Sequence, residues 1–300
     1  DYQKSIGQSS KRASFSQNNI MFAPCNSREM DGFTGFDGAD VAIIPICGPL
    51  MKSDFCGELG TASLKQLTQM ASISDSVKTI IFLIDSPGGT VDGPPAFADV
   101  IKACPKQTIA FADGLMCSAA YWIGSSCDRV YASTELDTVG SIGTMSTLWD
   151  DTKQLEAKGI VVREYYASAS TDKNKVIQDA LDGDGKKLIT EILDPMNDVF
   201  MATVKSNRAG KIKSDALSGK TYMGQKAIDA GLIDGIMPFE QLINQTRAAK
   251  NNYMTAAEFK SAHPKEYEEV FQAGAGAERV SVGSWMAFKE VDMAAVKAGI

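Results

Sequence analysis

From Asp40 onward the chain alternates short apolar runs with glycine- and proline-marked breaks. Val41-Ala42-Ile43-Ile44-Pro45-Ile46 closes at Gly48-Pro49, which predicts a strand and a turn. Leu64, Leu67 and Met70 then recur at helical spacing. Lys78 to Ile84 is continuously apolar after its first two residues, the pattern of a strand buried on both faces of a parallel sheet. A helix is predicted over 94–103, strands over 108–112 and 129–132, and a helix opening at Ser118 and running to Gly124. A helix around 148–158 leads into a further strand over 160–166. Leu188, Ile192, Met196, Val199, Phe200 and Val204 form one stripe along a long helix, read as a core face and bent at Pro195. Strands alternating with helices predict an α/β architecture.

The ends differ in character. Residues 1–37 are polar and read as an arm or loose cap, and 38–240 form the main domain. Residues 241–300 read as a tail or linker with one helix near 256–271, followed by Ala-Gly-Ala-Gly-Ala. No internal repeat is present.

Composition narrows the function classes. Hydrophobic residues at 44% and charged ones at 22% of 300 residues sustain a sizeable core. The balance of 30 basic against 37 acidic residues, net −7, argues against nucleic acid or an anionic membrane as the main partner. The longest apolar stretch, 41–51, is broken by Pro45, Gly48 and Pro49, so no transmembrane segment is expected in this chain. No basic-then-apolar leader opens it, and a first residue of Asp1 suggests a processed or trimmed form. The six cysteines lack metal-type spacing and read as reduced core thiols, which suggests a cytoplasmic location and no metal. The sole histidine, His263, sits in a Glu-rich polar stretch and is a poor centre for a triad.

Two loops carry candidate chemistry. Asp85-Ser86-Pro87-Gly88-Gly89 follows a buried strand, where α/β proteins place ligands, and glycine N–H groups there suit an oxyanion. The alternative is an ordinary strand-to-helix turn. In Ala112-Asp113-Gly114-Leu115-Met116-Cys117-Ser118-Ala119-Ala120, Ser118 is either a nucleophile at a strand–helix junction or simply a helix N-cap. Cys117 is a weaker nucleophile candidate. With no histidine at hand, the base for Ser118 would be a lysine whose pKa burial lowers from about 10.4 towards roughly 8. The candidates lie in Ser170-Thr171-Asp172-Lys173-Asn174-Lys175, although a solvated charge is the usual fate of lysine. Ser218-Gly219-Lys220-Thr221 is not a phosphate-binding loop, because Ser214 stands where the first glycine is needed.

In order along residues 38–240, these segments resemble the signal peptide peptidase A family of serine peptidases, in the Clp protease/crotonase superfamily. The resemblance rests on Ile84 to Gly89, Ser118-Ala119-Ala120-Tyr121-Trp122-Ile123, Asp128-Arg129-Val130-Tyr131, Thr138 to Gly143, and Tyr222 to Asp234. It implies repeated β-β-α units and a Ser–Lys dyad with Ser118 as nucleophile and no cofactor. It also implies an oxyanion hole from Gly88 and Ala119, with Gly89 supporting, and Ser141 orienting the lysine. Counting from the 160–166 strand lands on Thr171, so the base is assigned to Lys173 beside Asp172, with Lys175 as the alternative. The Ser-Ala-Ala-Tyr-Trp form is most similar to phage prohead proteases, which trim scaffold and coat proteins. Protein substrates and a homo-oligomer follow, sometimes with a dyad completed across copies. A signal peptide peptidase of the envelope, an inactive assembly module and a crotonase-type acyl-CoA enzyme are the rivals.

Overall fold

The computed structural model describes residues 19–251 and, beyond them, 261, 264, 265 and 268. The chain divides after Gln241 into two units, and the fold described here belongs to the first. His263 and most of the expected 256–271 helix lie outside the described residues, as does the start of the N-terminal arm.

The sheet grows from the apolar runs. Strands β1 (Ile20–Phe22), β2 (Val41–Cys47), β3 (Thr79–Ser86), β4 (Gln107–Cys117), β5 (Arg129–Ala132) and β8 (Gly235–Ile236) lie side by side in that order, every pair parallel. Ile80, Ile81, Phe82 and Ile84 are fully buried, as a strand covered on both faces requires. Helices α2 (Thr61–Ile73) and α3 (Pro94–Lys102) cover it with Leu64, Leu67, Phe97 and Ile101, and Phe97 meets Phe82 edge-on at 5.9 Å. The expected α/β class is the one found.

Several elements depart from expectation. Part of the polar arm is regular structure: β1 adds to the sheet edge, and a short helix α1 (Ser27–Met30) is capped by Asn26. Backbone pairing, not side-chain burial, holds β1, so its composition hides it. The strand expected to end at Ala112 continues to Cys117 and splits its partners. Ile109–Ala112 pairs with β5 and Leu115–Cys117 with β6 (Thr138–Gly140), which in turn pairs antiparallel with β7 (Thr221–Met223). Asp85 makes this continuation possible, because its Oδ1 accepts the Leu115 N–H at 3.0 Å beside Gly114 at φ +121°.

Residues 160–166 form no strand, since no neighbouring strand offers them an edge. They run exposed between helices α5 (Thr152–Ala157) and α6 (Lys175–Leu181), with Val161, Val162 and Tyr165 largely in solvent. The single bent helix expected over 188–204 is instead a π-turn, Leu188–Leu193, followed by α7 (Asp194–Asn207), in whose first turn Pro195 sits without kinking it. Of its stripe, Leu188, Phe200 and Val204 are buried while Val199 is half exposed, so only part is core. Of the six cysteines only Cys117 and Cys127 are buried. No helix among the described residues is long and apolar enough to cross a membrane.

One buried ion pair ties the end of this unit to its middle. Arg208, 3% exposed, holds both Asp234 oxygens at 3.0 Å, and Lys211 and the Val130 N–H add to the same carboxylate. Burial alone would raise the Asp234 pKa, but these partners outweigh it and hold it at about 2. A depressed carboxyl pKa adds stability above the unfolded value near 4, and that stability is lost as pH falls through the folded one. From pH 5 to pH 2 the native chain should therefore lose about 2 kcal/mol more than Asp234→Asn in urea unfolding. Equal losses would show that the pair does not set acid stability.

Candidate active site

The nucleophile candidate sits where β4 hands over to helix α4 (Ala119–Gly124). Ser118 adopts φ 51°, ψ −124°, a conformation that L-residues avoid. Ser118 stands at the N-cap position of α4, but its side chain makes no cap hydrogen bond. The surroundings hold this geometry firmly. The Ser118 N–H donates to Gly140 O at 2.8 Å, and its carbonyl accepts from the Trp122 N–H at 2.9 Å. All six residues of α4 are buried. Trp122 stacks on Phe200 with ring centres 4.5 Å apart, and the Tyr121 hydroxyl donates to Leu232 O at 2.8 Å. Strain at a residue this well supported is a mark of function.

The glycine loop lies directly against it. A Cβ on Gly88 (φ +100°) would stand 2.6 Å from Ser118 Cβ and 2.9 Å from the Ala119 nitrogen, so only glycine allows the approach. The Ala119 N–H opens a helix and has no intrahelical acceptor. The Gly88 N–H donates to Ser86 Oγ at 3.2 Å, and that fully buried hydroxyl donates to Gly48 O at 2.6 Å. Gly89 is clamped on the turn after β2: the Leu50 N–H donates to Gly88 O and the Thr90 N–H to Leu50 O. Among the described residues no acceptor receives the Gly89 N–H. The turn at Gly48-Pro49 and the loop containing Ser86 were both expected from the sequence, but not the bonds that join them. A Cβ on Gly89 would fall 1.8 Å from Leu50 O. Gly89→Ala is expected to lower stability by about 1–3 kcal/mol and to abolish reaction of Ser118 with a fluorophosphonate. Unchanged melting and labelling would show the clamp to be dispensable.

Ser141 follows β6 with φ 52° and donates its N–H to Lys220 O at 2.8 Å, one residue past the Gly140 that holds Ser118. Cys117 is buried, which raises its pKa and makes it a poor thiolate.

Neither candidate lysine has a hydrogen bond to this cluster among the described residues. Lys173 was expected to be buried; it is exposed, because the segment that carries it does not pack into the core. Among the described residues no hydrogen bond joins it to Ser118. Lys175 is paired with Asp179 at 2.8 Å, and the carboxylate's hydrogen bond raises its pKa, favouring the charged form. Between them Asn174 takes a left-handed conformation, φ 63°. No group of metal-ligating side chains occurs among the described residues.

Sequence comparison places the chain in a known family. The profile of peptidase family S49 matches residues 101–252, just over half of the chain. The chain belongs to peptidase family S49. Head-tail preconnector protein GP5 of Enterobacteria phage P21 is 26% identical over 223 residues, covering 71% of this chain and 44% of that protein. Capsid assembly protease C of Escherichia phage lambda is 27% identical over 217 residues, 69% of this chain and 47% of that protein. Protease 4 of Haemophilus influenzae is 25% identical over 233 residues, 72% of this chain and 36% of that protein. The chain thus spans less than half the length of these S49 relatives.

Proposed function

We propose that this chain is a serine endopeptidase with a Ser118–Lys173 dyad, acting in phage or prophage capsid maturation in the host cytoplasm. The observation that carries the reading is Ser118 itself: strained, uncapped, and packed on a glycine loop beside a helix N-terminus. Membership of S49 and the likeness to capsid assembly protease C support it.

Neutral Lys173 takes the Ser118 proton as Oγ attacks the peptide carbonyl. The resulting oxyanion is held by the N–H groups of Ala119 and Gly88, the latter exchanging Ser86 Oγ for the stronger, charged acceptor. The unpartnered Gly89 N–H is the next donor along the same loop. Lysine then protonates the leaving amine, and water attacks the acyl-enzyme with the same lysine as base. Lys173 is favoured over Lys175 because Asp179 keeps the latter charged. Ser141, beside the Gly140 contact, positions the lysine.

Exposed Lys173 needs a second copy of the chain to bury it against Ser118. A homo-oligomer that completes each dyad across copies meets that need. The exposed Val161, Val162 and Tyr165, and Trp149 at 87% exposure, are apolar surface such an assembly would cover.

The reading is tested by intact-mass analysis of the incubated chain beside Ser118→Ala and Lys173→Ala. Trimming of the native chain alone is the expected result. Trimming that survives Ser118→Ala would overturn it, and trimming that survives only Lys173→Ala would move the base to Lys175.

A further inference from the structure

Beside the candidate active site runs a cleft of about 350 Å³, within the roughly 300–1,000 Å³ of small-ligand sites. Its lining includes Ile142, two residues beyond the Gly140 that binds Ser118, and Gly219, next to the Lys220 that binds Ser141. Residues of the π-turn Leu188–Leu193 and of the first turn of α7 line it as well. π-Turns occur often at functional sites.

The lining has one chemical sense. Ile142, Ile189, Leu193 and Leu217 supply apolar surface. Four polar side chains join them, and each is left with acceptor capacity. The Thr144 hydroxyl donates to Leu193 O at 2.9 Å and the Ser218 hydroxyl to Asp215 O at 2.8 Å, so their protons are committed and their oxygens remain. Asp194 brings a carboxylate. Asn197 turns its amide N–H towards the Met201 sulfur at 3.7 Å, an atom that can only accept. Its Oδ1 is buried without any partner, an acceptor left unsatisfied at a cost in free energy. Among the described residues no lysine or arginine lines the cleft.

Apolar surface lined beside acceptors, one the solvent-exposed carboxylate of Asp194 and one unsatisfied, matches a side chain with an aliphatic stem and a donor-only head. We propose that this cleft is a substrate subsite for a lysine or arginine side chain, with Asp194 and Asn197 as its specificity-determining residues. The proposal deepens the peptidase reading and rests on it for the word substrate; the binding preference itself does not depend on catalysis.

The test separates the two. In full-length Ser118→Ala, backbone amide shifts of Thr144 and Asn197 are followed by NMR while Nα-acetyl-lysine methylamide or its norleucine counterpart is added. The lysine compound should bind at least about tenfold more tightly, the worth of one charge-assisted hydrogen bond, and that margin should fall to about twofold in Asp194→Asn with Asn197→Leu. Equal binding of the two compounds, or no shift with either, would overturn the subsite. A lysine preference that persists undiminished in the double variant would also overturn it. Fluorophosphonate labelling of Ser118 in the native chain is measured in parallel. Labelling without a lysine preference sinks the subsite alone, whereas a lysine preference without labelling sinks the peptidase reading and leaves a basic-side-chain binding site.

Discussion

Ser118→Ala is expected to reduce peptide-bond hydrolysis at least about 10⁴-fold while leaving the fold intact, because removing a serine nucleophile removes the acyl-enzyme path altogether. A companion substitution reports on the backbone. The φ 51°, ψ −124° of Ser118 mirrors ordinary extended backbone, which glycine enters freely and an L-residue enters at about 1–3 kcal/mol. Ser118→Gly is equally inert, yet it should melt higher than Ser118→Ala by several degrees. Thermal melts of both variants, read beside fluorophosphonate labelling and peptide cleavage, check the pair. A glycine variant no more stable than the alanine one would mean that the strain is absent in solution. Retained cleavage in either would mean that the nucleophile lies elsewhere.

Lys173→Ala should be about as inactive as Ser118→Ala, and the two inactive chains should rescue each other when mixed. If Ser118 of one copy meets Lys173 of another, random assembly of equal amounts pairs an intact serine with an intact lysine at about a quarter of the sites in a symmetric ring. Cleavage by the mixture, and by neither chain alone, is the outcome a shared dyad requires. An active Lys173→Ala chain would remove Lys173 from the mechanism. Two inactive chains that stay inactive together, in an assembly that sedimentation shows to be mixed, would place both dyad members in one copy.

The parts legible in the sequence were those that a local rule encodes. Buried parallel strands announce themselves as apolar runs, so β2 and β3 were visible, and glycines that admit no Cβ mark Gly88 and Gly89. Elements held by long-range backbone pairing were not visible. β1 has three half-buried residues, and β6 and β7 have three each, too few for a period to register. The continuation of β4 past Gly114 depends on Asp85, almost thirty residues earlier. Residues 160–166 illustrate the opposite error. Their β-branched and aromatic content is right for a strand, but propensity supplies no partner, and among the described residues of one chain none is present. The functions of Ser86 and Asn197 could not be read at all, because a hydroxyl or amide acquires its role only from what the fold places beside it.

If the proposed dyad is shared across copies, the exposed limb that carries Lys173 also sets a rate law. A peptidase whose base must arrive from another molecule works at a rate that rises with the square of its concentration while copies are scarce, and linearly once they have gathered. Newly made chains scattered through a cell would be harmless to their surroundings. Crowding onto a common lattice would switch them on together, and dispersal would switch them off again without an inhibitor.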